Sequence, residues 1–587
     1  MNRKLQVVLM VIMLAISMAV LAACRNNDPE PAAEDPPAQQ DPAQATPAPA
    51  DDTAAVEEDG CPTLIPGLRS PWAEVYVPPY RYTVGTLTIS GWNGWHYEFL
   101  RDIGRRDIAP EDVYHNRGTL SMEHVITARL FNERFPNVEV NSKVFERSSA
   151  FRAGFENFEL EHGVRIDIFP DDGHFYQVER GMVADLSIFR NDPVYHQFNP
   201  ALMDLFRLNG RTFAIPRYVI PNGVFVNMDL AEQQNIDVPP VDWNIYQFDA
   251  FVRHSAQNQF YGLIDLPWRL IDTMAPGWFW QMNNRGPNDP FVSINNDATR
   301  HLLSFIPGWA DHAVNAQRDR GNVDEEWFTD TNSNGWSWDQ FAVGRLLAHA
   351  TNQYMPWEGA MIPGHPHAIH VQNWDIFPVP SIGDIPNHIR VSSGGMSIRN
   401  FAMDDGNPEL SYEEYLQMQL AWEFLKIRYA LTEYWEAMRD FYVIVESEDG
   451  TPFQVHATEG SLSFVTGDAF HEQMEIWRNL PLNRPLLGRP GFARVVELFE
   501  EGTFTTFPNS FPERFDFEGD RPRIDEEWRD LRRPAGTEFD ARVDGMAWYD
   551  SLISLLPEWD RLINERFESA FESVPEFIDR WYGVNIR

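Results

Sequence analysis

Two residue types are nearly missing from this 587-residue chain. It has 2 cysteines, Cys24 and Cys61, and its only lysines are Lys4, Lys143 and Lys426. So few cysteines exclude a disulfide-stapled secreted fold. Positive charge is scarce as a whole: 47 Lys+Arg against 87 Asp+Glu leave a formal net charge of −40. A surface of that sign repels phosphate backbones, which excludes nucleic acid as a partner. It also excludes a polybasic mode of membrane-surface binding. Arginine holds its charge to higher pH than lysine, so its near-replacement of lysine fits an alkaline habitat or the codon bias of a GC-rich genome. Catalytic signatures are missing too: there is no G-x-S-x-G, no H-E-x-x-H and no G-x-x-x-x-G-K-[ST].

What is present begins with a leader. Arg3 and Lys4 precede an apolar run over residues 5–20, broken by Gln6 and Ser17, and the run ends in Leu21-Ala22-Ala23-Cys24. Small residues before a cleavage point are what a signal peptidase accepts. The cysteine directly after them resembles a bacterial lipobox, which implies a signal peptide at 1–23 and acylation of the Cys24 thiol. An ordinary signal peptide or a single membrane anchor is the alternative, although the run is short for a span of about 20 residues. Residues 24–60 are almost all Pro, Ala, Asp, Glu and Gln, with Pro29, Pro31, Pro36, Pro37, Pro42, Pro47 and Pro49 among them. Such a segment has too little apolar surface to fold and reads as a disordered tether. Extended, it reaches on the order of 100 Å. The expected location is extracytoplasmic, on the outer face of the cell membrane. Cys61 would then have no partner within the chain.

The body that follows is rich in aromatics, 13% overall with 20 Trp and 40 Phe. That supports a large core and aromatic-lined ligand surfaces. Thr86-Leu87-Thr88-Ile89-Ser90 reads as a first strand, followed by the loop Gly91-Trp92-Asn93-Gly94-Trp95. Met122, Val125, Ile126, Leu130, Phe131 and Phe135 fall at helical spacing, with Pro136 as the stop. Val138 opens the next strand, and Ile166-Asp167-Ile168-Phe169 reads as a third, ending in Pro170-Asp171-Asp172. Alternating strands and helices predict an α/β body with mostly parallel sheets. Ligands of such sheets sit beyond the carboxyl ends of the strands, which places Trp92, Asn93, Asp171 and Asp172 at the ligand-facing edge. Helical stretches are expected over 541–556 and 562–577. Two metal-like patterns read more simply as loops. Asp330-Thr331-Asn332-Ser333-Asn334-Gly335 opens like a calcium loop, but its twelfth position is Phe341 rather than Glu. His365, His367 and His370 lie in a Pro/Gly-rich segment. No metal or cofactor is expected.

Several blocks, in order, resemble the extracellular solute-binding lipoproteins of ABC importers, family 1, whose members include maltodextrin- and oligosaccharide-binding proteins. They are Leu130-Phe131-Asn132-Glu133-Arg134-Phe135-Pro136-Asn137-Val138-Glu139-Val140, then Arg165-Ile166-Asp167-Ile168-Phe169 and Gly181-Met182-Val183-Ala184-Asp185-Leu186-Ser187. Leu208-Asn209-Gly210-Arg211-Thr212-Phe213-Ala214-Ile215-Pro216 and Val224-Phe225-Val226-Asn227-Met228-Asp229-Leu230 follow, with a turn and helix over 239–251. Phe341-Ala342-Val343-Gly344-Arg345, Ser393-Gly394-Gly395-Met396-Ser397-Ile398 and Ala421-Trp422-Glu423-Phe424-Leu425 complete the series. The likeness covers roughly residues 84–430 and fades beyond 440.

The resemblance implies a two-lobed α/β fold of the type II periplasmic-binding kind, with a hinge between lobes. Lobe one would comprise 84–218 with 376–430. Lobe two would comprise 219–375 with 431–587, including a C-terminal helical elaboration. It also implies a non-enzymatic captor of a small molecule, an oligosaccharide by family, that delivers its ligand to ABC permease subunits and works as a monomer. Sugars need flat apolar faces and a few fixed hydrogen-bonding groups. Trp92 and Asn93 fit this need after the first strand. Counting back from Gly181 aligns Asp172 with a sugar-binding carboxylate of the family, or Asp171 one residue earlier. Tyr218, after Pro216, is expected at the first hinge. Either Trp278 or Trp280 would be a stacking platform and the other core. Tyr354 falls where maltodextrin-type relatives place a stacking Trp, with Trp357 able to take that role instead. Trp374, before the second hinge strand, is a further candidate. The adjacent Asp171 and Asp172 point different ways, unlike a glycosidase pair set across a bond.

Overall fold

The computed structural model describes residues 75–91, 118–144, 165–171, 174–208, 210–256, 260–264, 295–314, 323, 337–350, 371–404, 410–446, 452–456, 461–481, 483–508, 545–572 and 582. All of them lie in one compact unit, Pro62–Arg587; Met1–Cys61 forms a separate unit.

The first lobe is built as the hydrophobic pattern predicts. Strand Gly85–Gly91 buries Leu87 and Ile89 at period two. Helix Gly118–Arg134 buries Ile126 and Phe131, with Phe135 just beyond its end. Pro136 stops it, because the proline ring disfavours helical backbone in the residue before it. Strand Val138–Val144 then pairs with Gly85–Gly91 in parallel along its whole length. The third strand runs over Ile168–Asp171, two residues later than its pattern predicts. Asp167 is used for a corner instead. Its carboxylate accepts the Thr88 N–H (2.7 Å), its own N–H donates to the Thr88 carbonyl (2.9 Å), and its carbonyl accepts the Arg399 N–H (2.9 Å).

The strand order in this sheet is 138–144, 85–91, 168–171, 395–398, 215–216. Gly395–Ile398 is antiparallel to both neighbours and arrives from far along the chain. The second lobe has its own sheet, with Val224–Asn227 between Ala348–Ala350 and Trp374–Phe377. Both pairings are antiparallel. The expectation of mostly parallel sheets thus holds for the first three strands of the first lobe and fails for the second sheet. That sheet receives the chain at Val224 and returns it at Phe377, so its central and outer strands run in opposite senses.

A third sheet joins the two. Ile220–Asn222 pairs antiparallel with Ile389–Ser393, which pairs in parallel with Phe504–Pro508. The chain therefore crosses between lobes through 217–223 and returns through 389–394. One hydrophobic cluster fills the first lobe around Phe131, Trp422, Trp435 and Trp477 and continues through Ile220, Ile389 and Val391 of the crossing strands to Phe225, Trp374 and Ile376 of the second sheet. Another fills the second around Trp243, Phe248 and Trp309. Helix Thr432–Asp440 packs on helix Gly118–Arg134 of the first lobe, and an Arg134–Glu433 ion pair ties them. The two expected C-terminal helices are one, Gly545–Glu572, which runs through Pro557. A proline inside a helix costs about 3 kcal/mol; burial of Leu556 beside it in the second-lobe core offsets part of that cost.

One polar cluster is sealed inside the first lobe. Lys426, one of the three lysines, lies 2.7 Å from Asp192 and 2.7 Å from Glu423. The Trp422 indole N–H donates to Asp192 (2.9 Å) and the Tyr76 hydroxyl to Glu423 (2.8 Å). Phe189 stacks on Trp422, with ring centres 5.1 Å apart. Removing one member of a buried ion cluster leaves the others uncompensated, at a cost of about 3–5 kcal/mol. Lys426→Ala is therefore expected to lower unfolding stability in urea by that amount. A loss below about 1 kcal/mol would show that the carboxylates are solvated in the native state.

Candidate functional site

The carboxyl edge of the first sheet follows from strand direction. Helix Gly118–Arg134 has 17 residues and so is about 25 Å long. A short turn joins its end to the start of Val138–Val144, so its first turn lies at the opposite edge of the sheet, the carboxyl edge. There the first strand ends at Gly91, and Asp171 ends its strand opposite Gly395. Ile215–Pro216 runs parallel to Ile168–Asp171, because both are antiparallel to Gly395–Ile398. Arg217 and Tyr218 therefore emerge at the same edge. The Arg217 N–H donates to the Gly394 carbonyl at 2.8 Å.

The crossing strands begin at this edge. Val219 is held on both sides: its N–H donates to the Ser461 hydroxyl (3.0 Å) and its carbonyl accepts the Leu462 N–H (2.9 Å). The Asn222 side-chain amide donates to the carbonyls of Ile220 and Arg390 (both 3.1 Å) and to the Ser392 hydroxyl (2.8 Å). Gly223 then passes so close to the second sheet that a Cβ there would lie 2.3 Å from the Phe377 carbonyl oxygen. In the second sheet Ala350 pairs with Val224, one residue past Gly223. Strand Ala348–Ala350 thus ends at the edge beside the hinge. The strands ending at Asp171 and Pro216 in the first sheet and at Ala350 and Phe377 in the second therefore all end next to the crossing strands.

Of the sequence-predicted residues, Tyr218 is placed fully. It is 7% exposed and its ring packs on the backbone of Gly394, where a Cβ would lie 3.0 Å from it. The Arg217 guanidinium sits over the same ring, 5.1 Å from its centre. Asp171 is placed by its backbone, at the strand end. Trp92, Asn93, Asp172, Trp278, Trp280, Tyr354 and Trp357 lie outside the described residues, as do Cys24, the 330–335 turn and His365, His367 and His370. Trp374 is core rather than cleft. It is 1% exposed, with its ring centre 5.8 Å from that of Phe225 and 4.2 Å from the Arg489 guanidinium. Among the described residues no group of three or more His, Cys, Asp and Glu could hold a metal ion. Among them, too, no helix is long and apolar enough to cross a membrane.

The sequence reading missed a charged cluster at the carboxyl edge. Glu123 and His124 occupy the first turns of helix Gly118–Arg134, and Glu123 pairs with the buried Arg428. Arg428 also lies over the rings of Tyr434 (4.4 Å) and Tyr429 (5.0 Å). Burial, then the Arg428 and Arg217 charges, lower the His124 pKa to about 4. Its imidazole is neutral at ordinary pH. The polar pair Glu123-His124 inside an apolar-periodic helix was the signal available in the sequence.

No protein-family model matches the sequence, and no curated protein matches it. Among solved structures the chain is similar to an ABC substrate-binding protein from Listeria monocytogenes in complex with cycloalternan, at 13% identity, covering 85% of this chain and 100% of that one, with a TM-score of 0.45. It is similar to the maltose-binding periplasmic protein MalE of the same organism in complex with maltose, at 12% identity, over 81% and 97%, with a TM-score of 0.46. It is similar to the Thermus thermophilus maltotriose-binding protein bound with maltotriose, at 13% identity, over 82% and 100%, with a TM-score of 0.42.

Two groups of the first lobe titrate in opposite senses. The folded His124 pKa of about 4 lies below its ordinary 6.5, so between those values the unfolded chain binds the extra proton and stability rises with pH. Burial raises Asp167 from 3.8 to about 6, against the Thr88 N–H and the Arg165 charge. There the folded chain holds the extra proton, and stability falls as pH rises. The two slopes, each at most about 1.4 kcal/mol per pH unit, oppose one another between pH 4 and 6. Relative to the parent, His124→Gln should lose stability as pH rises from 4 to 6, and Asp167→Asn should gain it. Urea midpoints measured across that range check this; parallel profiles for all three proteins would refute the assignment.

Proposed function

We propose that this chain is the substrate-binding lipoprotein of an ABC importer, anchored by a lipid on Cys24, and that it captures a sugar or oligosaccharide between its lobes. The observation that carries the reading is the pair of antiparallel crossing strands, 220–222 and 389–393, with strand ends of both sheets beside them. A ligand held there touches both lobes at once, so its binding energy favours the closed arrangement. Closure about the strands 220–222 and 389–393 then presents both lobes to a membrane permease in one fixed relation.

The chemistry of the edge fits hydroxyl-rich ligands. Trp92, Tyr354 or Trp357, and Trp278 or Trp280 supply flat apolar faces for sugar rings. Asn93 and Asp171 or Asp172 supply hydrogen-bonding groups for hydroxyls, and Tyr218 lines the hinge. The ordered blocks of resemblance over 84–430 support the same assignment. The tether keeps the captor at high local concentration near its permease without placing it in the bilayer.

Calorimetry with a panel of glycans, paired with analysis of products, tests the reading. Saturable binding with no product is expected, and released sugars would replace it with a carbohydrate-active enzyme. Trp92→Ala, Asp172→Ala and Tyr354→Ala should each weaken binding by on the order of tenfold, about 1.4 kcal/mol. Unchanged affinity in all three would show that the ligand sits elsewhere.

A further inference from the structure

The chain enters the first lobe through a stretch that turns apolar side chains outward. Five of the ten large apolar side chains exposed among the described residues fall in it: Val75, Val77, Tyr80, Tyr82 and Val84, from 46% exposed at Val77 to 81% at Val84. The stretch is nevertheless held in place. The Tyr76 ring centre lies 4.8 Å from the Lys426 ammonium, its hydroxyl donates to Glu423 (2.8 Å) and its N–H to the Asn191 carbonyl (3.3 Å). The Val77 carbonyl accepts the Gln419 amide (2.9 Å), and the Thr83 N–H closes a turn onto the Tyr80 carbonyl (2.9 Å). The Tyr82 carbonyl accepts the Asn137 side-chain amide (3.3 Å), and the Tyr80 and Tyr82 rings meet edge-on with centres 5.6 Å apart. The strip leads into Gly85 and bonds to Asn137, next to Val138. Those two residues, Gly85 and Val138, open paired parallel strands, so the strip occupies the amino edge of the first sheet, opposite the carboxyl edge.

We propose that this strip is a membrane-contact surface, by which the first lobe rests in the headgroup layer of the bilayer that carries its anchor. The inference rests on the reading of Cys24 as a lipid anchor and of residues 24–60 as a tether. A cluster of apolar side chains fixed in water marks a contact site, and the chemistry of this one selects the partner. Tyrosine is enriched at membrane–water interfaces, where its ring sits at headgroup level and its hydroxyl stays wet. In a chain of net charge −40, residues 75–91 contain no Asp or Glu, and the only charged residue of the strip is Arg81. Arg81 donates to the Glu133 carbonyl (3.4 Å), and the Glu133 carboxylate is paired with Arg129 (4.0 Å). The strip itself thus lacks the negative charge that an anionic leaflet repels. Five side chains are too few for a stable protein interface, which uses about 20–30 residues a side. They suffice beside an anchor. Roughly 50 residues separate Cys24 from Val75, which gives an effective concentration of about millimolar order, so a weak contact is populated. Contact at the amino edge leaves the carboxyl edge clear of the bilayer.

Fluorescence quenching on vesicles tests this. The chain from residue 24 onward, with Cys24→Ser and Cys61→Ser, is held by an amino-terminal hexahistidine on vesicles of phosphatidylglycerol and phosphatidylethanolamine containing nickel-chelating lipid. A fluorophore is attached at Val84→Cys in the strip or at Asp237→Cys on the second lobe, and nitroxide-bearing lipids act as quencher. Loss of emission is expected at Val84→Cys and not at Asp237→Cys. Val75→Ser, Val77→Ser, Tyr80→Ser and Tyr82→Ser combined, and separately Tyr80→Asp, should restore the emission. Unquenched emission at Val84→Cys, or equal quenching at both positions, would overturn the contact. Sedimentation as a dimer without vesicles, abolished by the same substitutions, would assign the strip to a second copy of the chain instead. The tag replaces the lipid and no sugar is present, so the outcome is independent of the glycan panel. Acylation of Cys24 is read separately, from the mass of the native protein.

Discussion

The structure depends on one strand placed out of sequence order. Gly395–Ile398 lies antiparallel between Ile168–Asp171 and Ile215–Pro216, and without it the first sheet ends at its third strand. Because Ile389–Ser393 runs directly into it, the same stretch of chain is both the return crossing and the closure of the first lobe. The chain has to come back from the second lobe for the first to be complete. This makes the lobes interdependent in folding while leaving them joined by few strands.

That dependence explains the chemistry found at the crossing. Unpaired backbone polar groups are costly inside a protein, and the crossing strands have few neighbours to pair with. Asn222 bonds three acceptors on the two crossing segments, and Ser461 and Leu462 supply partners for Val219. Gly223 and Gly394 have no room for a side chain at the two points where backbone or the Tyr218 ring passes closest. The hinge is therefore specified by hydrogen bonding and close approach together with the burial of Val219, Ile220, Ile389 and Val391 in the core.

Charge is handled differently in two clusters of the first lobe. Asp192, Glu423 and Lys426 neutralise one another behind Trp422 and Tyr76, a closed arrangement that faces no ligand edge. Glu123, His124, Arg217 and Arg428 sit where the strands end. There the imidazole is kept neutral by burial and by two guanidinium groups. A neutral imidazole can both donate and accept a hydrogen bond.

By itself the sequence determined the local elements of the first lobe and their order. Period-two burial at Leu87 and Ile89, helical spacing from Ile126 to Phe135 and the stop at Pro136 are local effects of backbone geometry, and they are legible without a partner. The ordered blocks through Ile398 likewise pointed to a two-lobed fold. Tertiary structure alone decided the antiparallel second sheet, the two-residue shift of the third strand, the burial of Trp374 and the single helix through Pro557. Each of these turns on a contact with residues distant in sequence: Thr88 and Arg399 for Asp167, Phe225 and Arg489 for Trp374, the second-lobe core for Leu556. The cleft-edge cluster was hidden for the same reason. Glu123 and Arg428 are some three hundred residues apart in the chain, and only packing of the helices that carry them brings their charges together.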